Sequence, residues 1–177
     1  MMNAMNDVKT IRLDRMRYNK NLFSSRLCYL AILFNVLYFV VIYEINNTRL
    51  YEALMGASIV YNLVFLLLCF LASEGVKNYK TGYGWLLLGL GAGQIGRIFI
   101  LPARAAQPMT RVTQVKVGKK IREKVEEIAP AITPEQHTLV IVFLVLSAVF
   151  CVVAGVVAVM RSNKLHAYNA TLTEIAK

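Results

Sequence analysis

Acid is scarce in this chain. Ten Asp and Glu stand against 20 Lys and Arg in 177 residues, a formal charge of +10, and no Asp or Glu falls within 27–43, 53–73, 83–101 or 138–160. Those stretches therefore hold neither paired carboxylates for general acid–base work nor acidic ligands for a metal. Cysteine is equally sparse: Cys28, Cys69 and Cys151 are far apart, form no Cys-x-x-Cys pair, and read as small hydrophobes. The two histidines, His137 and His166, flank the last apolar stretch, roughly 40 Å apart on a continuous helix, too far to share a proton or a metal. No Ser-His-Asp set is present, so the expectation is no catalytic residue, no metal site and no cofactor. Proline is confined to Pro102, Pro108, Pro130 and Pro134, which leaves the stretches before residue 102 free to run as unbroken helices.

What is abundant is apolar surface, 57% of residues, with a mean hydropathy of +0.52. It comes in blocks. Residues 27–43, 53–73 and 138–160 lack any charged side chain, and each is long enough to cross a hydrocarbon core of roughly 30 Å. Inside lipid every backbone polar group must be satisfied within its own segment, so these blocks are predicted to be transmembrane helices and the fold an all-α integral membrane protein. A fourth block, 83–101, is weaker: it carries Gly84, Gly89, Gly91, Gly93 and Gly96 with Gln94 and Arg97. It either completes a four-helix bundle or re-enters on the side from which it came. Ser24-Ser25 suits the first helix start, and Thr133-Pro134-Glu135-Gln136 reads as a capping box opening the last.

The segments follow: 1–26 a basic cytoplasmic juxtamembrane stretch, 27–103 the first three hydrophobic helices, 104–133 a basic amphipathic loop, 134–160 the last span, and 161–177 a polar tail. Lys9, Arg12, Arg15, Arg17, Lys20 and Arg26 place the N-terminus in the cytoplasm by the positive-inside rule. The loop with Glu44, Arg49 and Glu52 fits the outside, and Lys77 and Lys80 fit the inside. Residues 104–124 conflict with this, since four spans leave their seven basic residues outside and re-entry would bring them in. The basic residues flank apolar blocks, which makes anionic lipid, rather than nucleic acid, the expected counterpart. Compact loops and no cleavable signal pattern suggest a bacterial plasma membrane.

Small residues make stripes. Gly82, Gly89, Gly93 and Gly96, spaced by seven, four and three, line one helical face, and Ser147, Cys151 and Gly155 do the same on the last helix. Such faces let backbones approach closely, in helix packing or, with a re-entrant loop, along a substrate passage. Arg97 is the ionisable residue deepest in an apolar block. Either it snorkels toward Pro102, about 7 Å away along the helix, or it marks an anion or polar-substrate site, with Gln94 able to share a contact. Asn35 and Asn62, each near mid-helix, are expected to pair with one another. Val117, Ile121, Val125 and Ile128 recur at helical spacing among charges, which predicts a short amphipathic helix lying on the membrane or a partner. Together these features point to a small non-catalytic membrane subunit that packs against a larger transporter-type complex or against itself. A homo-oligomeric channel or carrier, with Arg97, Gln94, Asn35 and Asn62 facing a polar pathway, is the alternative.

Overall fold

The structure is a computed structural model; it describes residues 2–43, 52–106, 109–117, 120–128, 130 and 132–175, with backbone alone at 2–9, 52–55, 109–117, 120–128 and 175. In chain order the elements are α1 (Met2–Tyr18), α2 (Leu22–Tyr43), α3 (Glu52–Lys77), α4 (Thr81–Ile98), α5 (Leu101–Ala105), β1 (Met109–Val117), β2 (Lys120–Ile128) and α6 (Pro134–Ile175). Four helical stretches are long and apolar enough to cross a membrane: Leu22–Tyr43, Gly56–Lys77, Thr81–Ala105 and Pro134–Glu174. The chain is a helical membrane bundle. The loop containing Glu44 and Arg49 lies outside the described residues.

The glycine-rich block crosses the bundle and does not turn back. A Cβ on Gly84 would sit 2.6 Å from Val159 Cγ2, one on Gly91 would sit 2.7 Å from Val152 Cγ2, and Leu101 joins Val140 and Ile132 in one apolar cluster. Neighbours on α6 thus recede steadily as α4 advances, which is an antiparallel traverse. The N-terminal segment, the α3–α4 turn and the far end of α6 share one side, and the 109–128 segment lies on the other. Between α4 and α5 the helix breaks at Phe99–Ile100, two residues before Pro102, whose missing N–H interrupts the ladder. In the α3–α4 turn Tyr79 adopts a positive φ of 54°, and the Tyr83 ring occupies the space a Gly75 side chain would need.

Two local expectations are corrected, the amphipathic helix and the start of α2. The stretch holding Val117, Ile121, Val125 and Ile128 is an antiparallel two-stranded hairpin, with Val112 opposite Val125, Lys116 opposite Ile121 and Met109 opposite Ile128. Thr110, Val112, Thr113, Val115 and Val117 are β-branched and favour a strand, and pairing with them overrides the helical spacing of the second half. Alternation along β2 puts Ile128 on the face opposite Ile121 and Val125, so no single apolar stripe exists. Helix α2 starts at Leu22, ahead of the serine pair. Ser24 and Ser25 are buried within its first turns, where Ser25 Oγ meets Ser73 Oγ at 2.8 Å and Asn21 Nδ2 donates to Ser24 Oγ at 3.0 Å. The 161–177 tail begins as a continuation of α6, helical to Ile175.

The capping box at the start of α6 forms as read: the Gln136 N–H donates to Thr133 Oγ1 at 3.3 Å and the Thr133 N–H donates to Gln136 Oε1 at 3.2 Å. Two apolar clusters fill the bundle. One gathers Cys28, Ala31, Phe65, Cys69, Leu87, Cys151 and Ala154 toward the N-terminal side, and the other gathers Tyr38, Ile42, Leu101, Val140 and Leu144 toward the hairpin side.

Candidate functional site

Between those clusters each span contributes polar side chains. Asn35 follows Ala31 on α2, Asn62 precedes Phe65 on α3, Gln94 and Arg97 lie between Leu87 and Leu101, and Ser147 separates Leu144 from Cys151. All are buried, Arg97 to within 5% exposure and Gln94 completely. The snorkelling expectation fails: the guanidinium turns inward to oxygens that α2 and α3 hold out to it.

Arg97 Nη1 donates to Asn62 Oδ1 at 2.8 Å and to Asn35 Oδ1 at 3.3 Å, while Nη2 donates to Ser58 Oγ at 2.6 Å and to the Ser58 carbonyl at 3.4 Å. The Tyr38 and Tyr61 rings lie over the guanidinium, with centroids 4.4 and 4.6 Å away. Gln94 Nε2 donates to Asn35 Oδ1 at 2.9 Å and reaches Ser147 Oγ at 3.5 Å, and Ser147 Oγ in turn donates to the Ala31 carbonyl at 2.9 Å. Asn35 and Asn62 therefore meet through the arginine, which displaces the direct amide pair expected of them.

Charge is left over. Among the described residues no carboxylate pairs with Arg97; the ion pairs there are Arg17 with Asp14 and Lys77 with Glu74, both outside the polar centre. An isolated Arg at mid-bilayer costs about 2.5–3.5 kcal/mol on insertion scales, and neutral oxygens offset only part of that. Asn35 Nδ2, Asn62 Nδ2, Tyr38 Oη and Gln94 Oε1 are buried and unpartnered.

One flank of the centre faces a cleft of about 330 Å³ between α3 and α4–α5, lined by Ala57, Ser58, Tyr61, Gly93, Gly96, Arg97, Ile100 and Leu101. A smaller pocket of about 130 Å³ between α2 and α3 is lined by Asn35, Asn62 and apolar side chains. A larger crevice of about 870 Å³ lies between α1 and the extension of α6, with Arg12, Arg161 and Lys164 on its walls.

The glycines divide into two rows. Gly84 and Gly91 face α6: a Cβ on Gly155 would lie 2.8 Å from the Gly84 carbonyl, and one on Gly91 would lie 3.3 Å from the Ala148 carbonyl. Gly82, Gly89 and Gly96 have nothing within 4 Å of where a Cβ would be, so their face is open, and Gly93 turns toward the Tyr61 hydroxyl. Ser147 and Cys151 are buried inside the bundle. Reasoning from sequence singled out neither Gly84 and Gly91 nor Ser58, Tyr38 and Tyr61. A signal existed for all but Tyr61: Gly84 and Gly91 repeat at seven, Ser58 lies one turn before Asn62, and Tyr38 lies three residues after Asn35. The interfacial positions Val117, Ile121, Val125 and Ile128 fall in the hairpin, away from this centre. No family model, curated protein or solved structure matches the chain.

Proposed function

We propose that this chain is a small non-catalytic integral-membrane subunit that docks the open face of α4 against a helix of another membrane protein. The observation that carries the reading is the split between the glycine rows. Gly84, Gly91 and Gly155 bring α4 and α6 together within the bundle, whereas Gly82, Gly89 and Gly96 remove side chains from a face with nothing on it. Small residues in lipid gain by letting a second backbone approach, because no hydrophobic drive toward association exists there.

The conducting alternative has less support. Asn35, Asn62, Gln94 and Arg97 close on one another at one depth with apolar clusters on either side, which is how a buried polar lock is built. Arg12, Arg161 and Lys164 in the outer crevice suit anionic headgroups on the N-terminal side, which we assign to the cytoplasm of a bacterial plasma membrane. Cysteine crosslinking in native membranes tests the docking face. Gly82→Cys, Gly89→Cys and Gly96→Cys should capture a neighbouring protein, while Leu67→Cys on the exposed face of α3 should not. Absence of any adduct at all three glycine positions contradicts the reading.

A further inference from the structure

The polar centre holds a full positive charge and more unmatched donors than acceptors. Asn35 Nδ2 and Asn62 Nδ2 are buried donors without partners and line the smaller pocket between α2 and α3, whereas the cleft between α3 and α4–α5 is reached by Arg97 and Ser58. Arg97 meets only neutral oxygens. What such a centre lacks is an anion.

The cleft beside it gives an anion a way in. Ala57, Gly93, Gly96 and Ile100 are exposed at its rim, and Ser58, Arg97 and Leu101 are buried at its floor, so it opens sideways toward lipid rather than toward water. Its walls are largely apolar and its charged group lies at the inner end. Ser58 Oγ, at the floor of the cleft, accepts from Arg97 Nη2, and a hydroxyl can donate as well as accept.

We infer that this cleft receives a carboxylate carried on an apolar helix of a different protein. The inference rests on the docking reading above and adds the partner's chemistry. Depth favours a helix as the carrier. Ser58 lies about 9 Å along α3 from Glu52, so the Arg97 contact is set back from that end of the helix, and an Asp or Glu on a partner helix is held at whatever depth its sequence sets. The apolar blocks of a second copy do not carry the group, because 27–43, 53–73, 83–101 and 138–160 contain no Asp or Glu. Gly96 belongs both to the cleft and to the open row with Gly89, so one helix lying along α4 would reach both.

The test uses the full chain in zwitterionic vesicles, with fluorescently labelled single-span polyleucine peptides bearing Asp, Asn or Leu about 9 Å from one end. Energy transfer should report at least about tenfold tighter association of the Asp peptide than of the Asn peptide, as for a charge-assisted hydrogen bond in place of a neutral one. Arg97→Gln should abolish that preference. Asn62→Asp should abolish it too, by giving the guanidinium an internal carboxylate, and it keeps the test decisive if Arg97→Gln fails to fold. Equal binding of the Asp and Asn peptides, or a preference surviving both variants, overturns the inference. Loss of the preference on adding anionic phospholipid names a lipid as the occupant and also overturns it. Equal binding of all three peptides that is lost in Gly89→Leu overturns the carboxylate while leaving the docking face intact.

Discussion

Arg97 Nη1 lies 2.8 Å from Asn62 Oδ1, so a cation near the end of one span is tied to an amide inside its neighbour. Asn35 and Ser58 complete the arrangement, and it joins α2, α3 and α4 at one depth. Removing an acceptor from that set should cost more than adding a charge to it. Asn62→Leu is expected to destabilise the detergent-solubilised protein by about 1–3 kcal/mol, because Arg97 loses its shortest amide contact. Asn62→Asp is expected to raise the unfolding midpoint, since the buried cation then gains a counter-charge already within hydrogen-bond distance. Thermal unfolding of both variants in one detergent checks the sign.

The two glycine rows should respond oppositely to bulk. Gly155→Leu drives a side chain into the Gly84 carbonyl, which a Cβ alone would approach to 2.8 Å, and should cost at least about 1–3 kcal/mol or prevent folding. Gly89→Leu meets open space and should leave the unfolding midpoint of the isolated chain within about 0.5 kcal/mol of the parent. Equal damage from both would place the two rows in equivalent surroundings.

At the head of α6 the reciprocal bonds between Thr133 and Gln136 satisfy groups that a helix start would otherwise leave open. Thr133→Ala should cost about 1 kcal/mol and speed amide exchange in the first turn after Pro134, with exchange near Ser147 unchanged. Hydrogen exchange followed by mass spectrometry resolves the two regions.

Sidedness follows from the antiparallel path of α4 along α6. Asn78→Cys and Lys164→Cys should react with a membrane-impermeant thiol reagent from one side, and Thr133→Cys from the other. Cys28, Cys69 and Cys151 are buried and should contribute little background. Labelling of Asn78→Cys and Thr133→Cys from one side, with Lys164→Cys from the other, would restore the re-entrant arrangement.

The spans were legible because a run of some twenty uncharged residues has one stable solution in lipid. The α6 cap was legible because Thr133, Pro134 and Gln136 interact within one turn. The hairpin was not: Ile121, Val125 and Ile128 fit a helix when read alone, and only pairing with the β-branched 109–117 stretch turns them into a strand. For Arg97 the axial distance to Pro102 made escape to the interface look sufficient. The side chain's direction depends on Asn35, Ser58 and Asn62 arriving from two other helices, which spacing along α4 does not encode. In the same way both heptad glycine rows are visible in the sequence, but which one meets α6 is decided by tertiary packing.

A double-mutant cycle between Arg97 and Asn35, measured by unfolding in lipid or mild detergent, goes to the centre of this account. Arg97→Met, Asn35→Leu and the pair together should show a coupling of about 1–2 kcal/mol, with the double variant less damaged than the sum of the single ones. Strict additivity, with Arg97→Met costing nothing, would mean that the arginine reaches the membrane surface and that no polar centre holds the bundle.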